Sequence, residues 1–190
     1  MNRNSALPEG VPPPSPDCSR REMTVLHLFI SPGHNFFGHH GLSAGTHPLV
    51  EVNTAECIAG RGIRGDRFFD YKDDYKGQIT FFAREVFEEV CRALNAQVES
   101  PGVTRRNVVT EGIDLNTLIG RRFTVQGVEF EGVCECKPCY WMDQAIAPGA
   151  ETALQGRGGL RAKIITGGVL HAGQTSHRSL SSPKNELPCF

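Results

Sequence analysis

A chain of 190 residues is long enough to bury one substantial core. Its 20 lysines and arginines against 21 acidic residues leave a net charge of -1, which excludes bulk attraction to nucleic acid or to a membrane surface. A hydrophobic share of 39%, with no apolar run of bilayer-spanning length, fits a soluble globular protein.

In chain order, the first 22 residues, MNRNSALPEGVPPPSPDCSRRE, lack the apolar stretch of a secretory signal and read as an extended, proline-rich lead-in. A reducing, cytoplasmic setting is therefore expected for the seven cysteines. TVLHLFIS, from Thr24 to Ser31, is a β-branched and apolar run stopped by Pro32-Gly33. HNFFGHHG follows as a loop; His34, His39 and His40 have no carboxylate at a metal-binding spacing and read as loop residues beside a pocket. LVEVNTAECIA reads as a second strand, and GRGIRGD as a glycine-rich turn.

In ITFFAREVFEEVCRALNA, residues Phe82, Val86, Phe87, Val90, Cys91 and Leu94 recur at helical spacing, with Glu88 and Arg92 four apart on the polar side. RRFTVQGVEFEGVCEC predicts a hairpin about Gln126-Gly127, and LRAKIITGGVLHAGQ predicts a second about Gly167-Gly168. From Thr175 the chain becomes polar and serine-rich, so a single domain over 23–174 is expected between two tails, 1–22 and 175–190. Several short strands with one good helix give an α+β domain, mostly β, with a bent or barrel-like sheet. No glycine-rich turn has the strand-to-helix setting of a dinucleotide or phosphate-binding loop.

GVCECKPCYW places Cys134, Cys136 and Cys139 within six positions. On a strand Cys134 and Cys136 share a face, and Pro138 ends the strand, so Cys139 stands on the rim where reactive groups are found. The residues alone leave four readings. A structural zinc needs a fourth ligand, with Cys57 or His171 as candidates. A Cys136–Cys139 disulfide needs an oxidising compartment. The remaining two are that all three are small core residues, or that Cys139 beside Lys137 is a reactive thiol. Three basic, glycine-bearing segments lie elsewhere: Arg61, Arg64 and Arg67 about Asp66; Arg105 and Arg106 before Asn107; and Arg157, Arg161 and Lys163 about Gly158. Converging on one pocket, they would make a site for an anionic cofactor.

Taken in order, LFISPGHNFFGHHG, GRGIRGDRFFDY, KGQITFFAREVFEEV, RRNVVTEGIDLNTLIGRRFTVQGVEF, CECKPCYWMDQ and GRGGLRAKIITGGVLHAGQ resemble the MOSC domain, the domain shared with the C-terminus of molybdenum cofactor sulfurase, in its small stand-alone form. The resemblance covers about Leu28 to Gln174. It implies a mostly β, barrel-like fold with one main helix and short peripheral helices, and a site for the molybdenum cofactor (molybdopterin). It aligns Cys139 with the family's near-invariant cysteine, a molybdenum ligand in characterised members and suspected of handling sulfide in sulfurases. Arg64, Asp66, Arg67, Arg106, Asn107 and Gly158 fall in its basic and glycine-bearing motifs.

Two functions follow from the resemblance. One is a molybdenum-dependent oxidoreductase that reduces N-hydroxylated small molecules with electrons from a partner reductase, since no flavin, haem or iron–sulfur motif is present. The other is a carrier of persulfide sulfur, or of the cofactor itself, acting through Cys139 with Cys136 as resolving thiol and a cysteine desulfurase as partner. The sequence departs from the reductases where they carry a histidine-glycine-glycine motif; here YKGQIT supplies Lys76, Gly77 and Gln78.

Overall fold

The structure, a computed structural model, describes residues 23–37, 39 and 41–176. His40, the lead-in over 1–22 and all of the C-terminal tail beyond Ser176 lie outside the described residues. In chain order the strands are β1 (Met23–Ile30), β2 (Val50–Val52), β3 (Thr54–Ile58), β4 (Gly62–Ile63), β5 (Ile79–Ala83) and β6 (Val108–Glu111). They continue as β7 (Arg122–Val125), β8 (Val128–Glu135), β9 (Leu160–Ile164), β10 (Gly168–His171) and β11 (Gln174–Ser176). The helices are α1 (Arg84–Ala93), α2 (Trp141–Ala145) and α3 (Ala150–Ala153), the last two short.

Eight strands form a curled half-barrel in the order β11-β1-β6-β5-β9-β8-β7, with β2 also on β1; β10-β3-β4 form a second, smaller sheet. The expected architecture is therefore the observed one. The sheet extends through Ser176, because Met23, Thr24 and Val25 pair with Ser176, Thr175 and Gln174.

The best-formed hairpin is the one about Gln126-Gly127. Both residues take positive φ, 49° and 82°, the turn whose twist matches the flanking strands β7 and β8. Three segments differ from their sequence pattern, each for a physical reason. The helical reading of ITFFAREVF begins too early: Ile79 to Ala83 is a strand buried at every position, and the helix starts only at Arg84. A central strand covered on both faces shows no alternation, so its apolar run continues the helix pattern without a break. Phe81 enters the core between the sheets, where it meets Phe123 and Phe130 at 5.6 and 5.3 Å, while Phe82 enters the core beneath α1.

The run LVEVNTAECIA is two strands broken at Asn53: β2 pairs with β1 in the large sheet, and β3 pairs with β10 and β4 in the small one. Likewise β9 and β10 are not a hairpin. β9 lies between β5 and β8, whereas β10 crosses to β3. On α1, Glu88 pairs with Arg84 at 3.5 Å, so the ion pair forms one turn earlier than Glu88–Arg92.

The second core joins α1 to α2 and α3 through Phe87, Val90, Trp141, Met142 and Leu154. Phe36, from the loop after β1, stacks on Trp141 at 4.6 Å, which pins the start of α2. That start is the end of the cysteine segment, so this core fixes where the segment leaves the sheet.

Candidate functional site

The cysteine segment begins as β8 ends at Glu135, and the ladder extends one further bond, from Cys136 N–H to the Gly159 carbonyl at 2.7 Å. Beyond it Cys136 is buried and Cys139 is exposed, just ahead of α2, whose Met142 N–H donates to the Cys139 carbonyl at 2.8 Å. Cys134, Cys136 and Cys139 are free thiols. Among the described residues no three His, Cys, Asp or Glu side chains stand together to hold a metal, so the zinc reading lacks a ligand set. Cys57, one candidate fourth ligand, is a core thiol that burial pushes up to about 12, far from the thiolate a metal needs.

Two neighbours hold the segment. Arg106, itself buried, donates to the carbonyls of Cys136 (2.9 Å), Thr104 (2.7 Å) and Gly158 (3.0 and 3.2 Å). Gly158 packs so closely that a Cβ there would lie 2.7 Å from the Cys136 carbonyl oxygen and 2.8 Å from Pro138 Cδ. Both residues position the cysteines through their backbone. Arg106 makes its bonds to carbonyls inside the fold, and Gly158 has no side chain to offer.

Asp66 and Asn107 are likewise internal. Asp66 accepts from Ser31 N–H, Phe68 N–H and Asn107 Nδ2 at 3.1 Å each, and from Arg67 at 3.2 Å. Asn107 Oδ1 accepts from the Thr80 amide and hydroxyl, while its two amide hydrogens go to Asp66 and the Phe29 carbonyl. No donor of Asn107 remains for a ligand. These two residues lock the β4–β5 loop to β1, β5 and β6. Arg64 stays apart: it is exposed, paired with Glu56 on β3, and stacked over Phe69.

Arg67 does join the site. Its side chain is only 9% exposed, lies over Phe68, and donates to the Arg105 carbonyl at 2.9 Å. Burial lowers its pKa, with Asp66 and Cys136 acting in the opposite direction. Arg105 takes a left-handed φ of 56°, which sends its side chain away from that of Arg106, toward Ser31 Oγ (2.6 Å) and the Gly33 carbonyl (3.0 Å). Burial, followed by the nearby Arg67 charge, pushes Arg105 down to about 10.

Arg161, on β9, donates to Tyr75 Oη at 3.1 Å. Burial opposes its charge, but Cys136 and Tyr75 outweigh that and raise its pKa overall. Cys136 thus lies within electrostatic reach of Arg67 and Arg161. Around it, the carboxylate of Asp66 is the only buried acid among the described residues, against the buried Arg105 and Arg106 and the nearly buried Arg67. The buried groups about the cysteine segment carry an excess of positive charge.

An aromatic wall borders these arginines. His34 meets Phe68 edge-on at 4.8 Å, Phe68 lies 5.2 Å from Tyr75, and Tyr71 lies 5.0 Å from Tyr75. Burial, then the charge of Arg67, lowers the His34 pKa. His39 turns to the Ser43 carbonyl instead. Tyr75 gave no signal in the sequence, because neither spacing nor charge marks a loop tyrosine. Gln78, standing where reductases keep a glycine, is a buried strap that donates to the Gly60 carbonyl (2.9 Å) and accepts from Ile164 N–H (2.8 Å).

Residues 65–176 match the family described as MOSC domain. Similar folds occur in three solved structures. YuaD from Bacillus subtilis is 16% identical, with 85% of this chain and 97% of that one covered at a TM-score of 0.68. YiiM from Geobacillus stearothermophilus is 11% identical, with 86% and 77% covered at 0.60. YiiM from Escherichia coli is 18% identical, with 70% and 65% covered at 0.54. Identities this low speak to the fold alone. No curated protein matches the sequence.

Proposed function

The chain belongs to the MOSC domain family, which is associated with the molybdenum cofactor, and from that premise we propose that it binds this cofactor, with Cys139 as metal ligand, and reduces N-hydroxylated small molecules. The observation that carries this reading is the surplus of buried guanidinium beneath the cysteine segment. Buried cations without counter-charge are costly, and a phosphate-bearing ligand supplies the missing anion. Arg67 and Arg105, forks with a single carboxylate between them, suit the phosphate; the aromatic wall suits a flat pterin ring.

Cys139 fits the metal. It is an exposed, free thiol at a strand end, and a thiolate is the soft donor that such a metal prefers. When bound, the cofactor supplies a metal centre able to accept an oxygen atom and exchange two electrons. Removing the hydroxyl oxygen from an N-hydroxylated nitrogen consumes two electrons and two protons and releases water. The electrons come from a partner reductase. Tyr75 accepts from Arg161 through its phenolic oxygen, which leaves its O–H as a hydrogen-bond donor beside the arginines. Arg106 and Gly158 hold the cysteine segment still.

A second reading is favoured by the two free thiols three residues apart, one buried and one exposed: Cys139 carries a persulfide from a cysteine desulfurase, and Cys136 resolves it. One preparation tests both. Protein from a host that makes the cofactor should contain near-stoichiometric molybdenum, and Cys139→Ser should contain little. Absence of molybdenum from both, with a mass gain of one sulfur on the wild type after treatment with desulfurase and cysteine, would replace the first reading by the second.

A further inference from the structure

A cavity lies outside the arginine cluster. β5 and β6 run parallel, joined by α1, and a cleft of 520 Å³ opens where their carboxyl ends meet the turn leading into β9. Crevices of this kind, beyond the carboxyl ends of parallel strands, are favoured ligand sites, and the volume suits a small organic molecule. Its walls are apolar: Ala83, Val86, Ile113 and Leu115. Gly159 closes one side, so the turn that supports the cysteine segment also borders this cleft.

The polar rim is acidic. Glu85 accepts from Gly112 N–H with one oxygen, at 2.7 Å, and Asp114 accepts from Asn116 N–H with one oxygen, at 2.9 Å. The second oxygen of each has no partner among the described residues. Asn116 donates to the Gly156 carbonyl, leaving its amide oxygen as a further acceptor. One cation, Arg157, also lines the cleft, but it is already matched: it pairs with Glu89 at 2.9 Å and donates to the Ala153 carbonyl, while the neighbouring Arg84 pairs with Glu88 and Glu111. The α1 N-terminus contributes only about half a positive charge, too little to reverse two carboxylates.

We propose that this cleft binds a small organic cation, an ammonium group on an apolar body about the size of a ring. The body lies against Val86, Ile113 and Leu115, and the three N–H donors of the ammonium meet Glu85, Asp114 and Asn116. The site is independent of molybdenum, and its charge is opposite to that of the arginine cluster. The protein thus offers an anion-accepting site and a cation-accepting site on either side of the 157–159 turn.

The test is titration of the full chain, prepared without molybdenum cofactor, with 2-phenylethylamine, 2-phenylethanol and phenylacetate by calorimetry at pH near 7. These share one body and differ in charge. The amine should bind about ten-fold or more tighter than the alcohol, and the acid weakest, as a charge-assisted bond to carboxylate predicts. Glu85→Gln keeps an oxygen for Gly112 N–H, and Asp114→Asn keeps one for Asn116 N–H. Each should weaken the amine several-fold and leave the alcohol unchanged. Val86→Trp should fill the cleft and abolish both; if it fails to fold, the two charge variants carry the test. Equal binding of all three compounds, no amine binding, or amine binding indifferent to both charge variants would each overturn the proposal.

Discussion

Substituting Gly158 by alanine tests the claim that this residue sets the position of the cysteine segment. The added Cβ would lie 2.7 Å from the Cys136 carbonyl oxygen, 2.8 Å from Pro138 Cδ and 3.1 Å from Pro138 N. Those atoms are backbone or ring, so no rotamer change relieves the contact. The segment is also tied down, by Arg106 on the Cys136 carbonyl and by Gly159 on the Cys136 amide. It must therefore slide as a unit. Overpacking of this kind costs about 1–3 kcal/mol. At about 2–4 °C per kcal/mol for a chain of this size, the melting temperature should fall by roughly 2–12 °C.

The reference is Gly156→Ala in the same turn, where φ is 77° and nothing lies within 4 Å of the new Cβ. That variant bears only the left-handed penalty, about 1–2 kcal/mol. Thermal unfolding alone does not separate the two, so the second assay is the rate at which iodoacetamide alkylates Cys139, read by peptide mass spectrometry. Gly158→Ala should change that rate and Gly156→Ala should not. Identical Cys139 labelling in both variants and the wild type would refute the positioning role.

Cys139→Ser, at an exposed position, should leave the melting temperature unchanged while removing molybdenum; a large loss of stability would mean that the thiol is structural. Arg106→Gln cannot bridge three carbonyls, and each lost charge-assisted bond costs about 1.5–3 kcal/mol, so chemical denaturation should show a loss above 2 kcal/mol. For His34, a folded pKa below the ordinary 6.5 means that the unfolded chain binds the proton more readily. Its stabilising share is therefore present above pH 6.5 and lost as the pH falls through the lowered folded value; His34→Gln should flatten that part of a denaturation profile against pH.

The legible parts of the fold were those fixed by local chemistry. Gln126-Gly127 demanded a tight turn, and Pro138 stopped β8 in time to put Cys139 on the rim. The segments misread were those whose partners lie far along the chain. Nothing near Asn53 tells β2 from β3, because the choice of sheet is made by β1 and by β10, and β10 is more than a hundred residues downstream. The site follows the same division. Arginines beside glycines marked the basic segments, but which of them face a pocket depends on packing. Arg64 turns out to Glu56, Arg67 turns in to Asp66, and Arg106 serves the carbonyls of Cys136, Gly158 and Thr104. Tyr75 became visible only through its bond to Arg161.

The pairing of Met23–Val25 with Gln174–Ser176 has a bearing on biosynthesis. Among the described residues, along the edge of β1 away from β6, β2 covers Leu28 to Ile30, while the stretch from Met23 to Val25 is covered only by β11. The ribosome makes β1 first among these strands and β11 last, about 150 residues later, at roughly 5–20 residues per second. For that interval of several seconds or more, half of a strand edge is an open template for pairing with other nascent chains. The large sheet can close along this edge only once β11 has been made, and truncation before Gln174 would leave that edge bare for good.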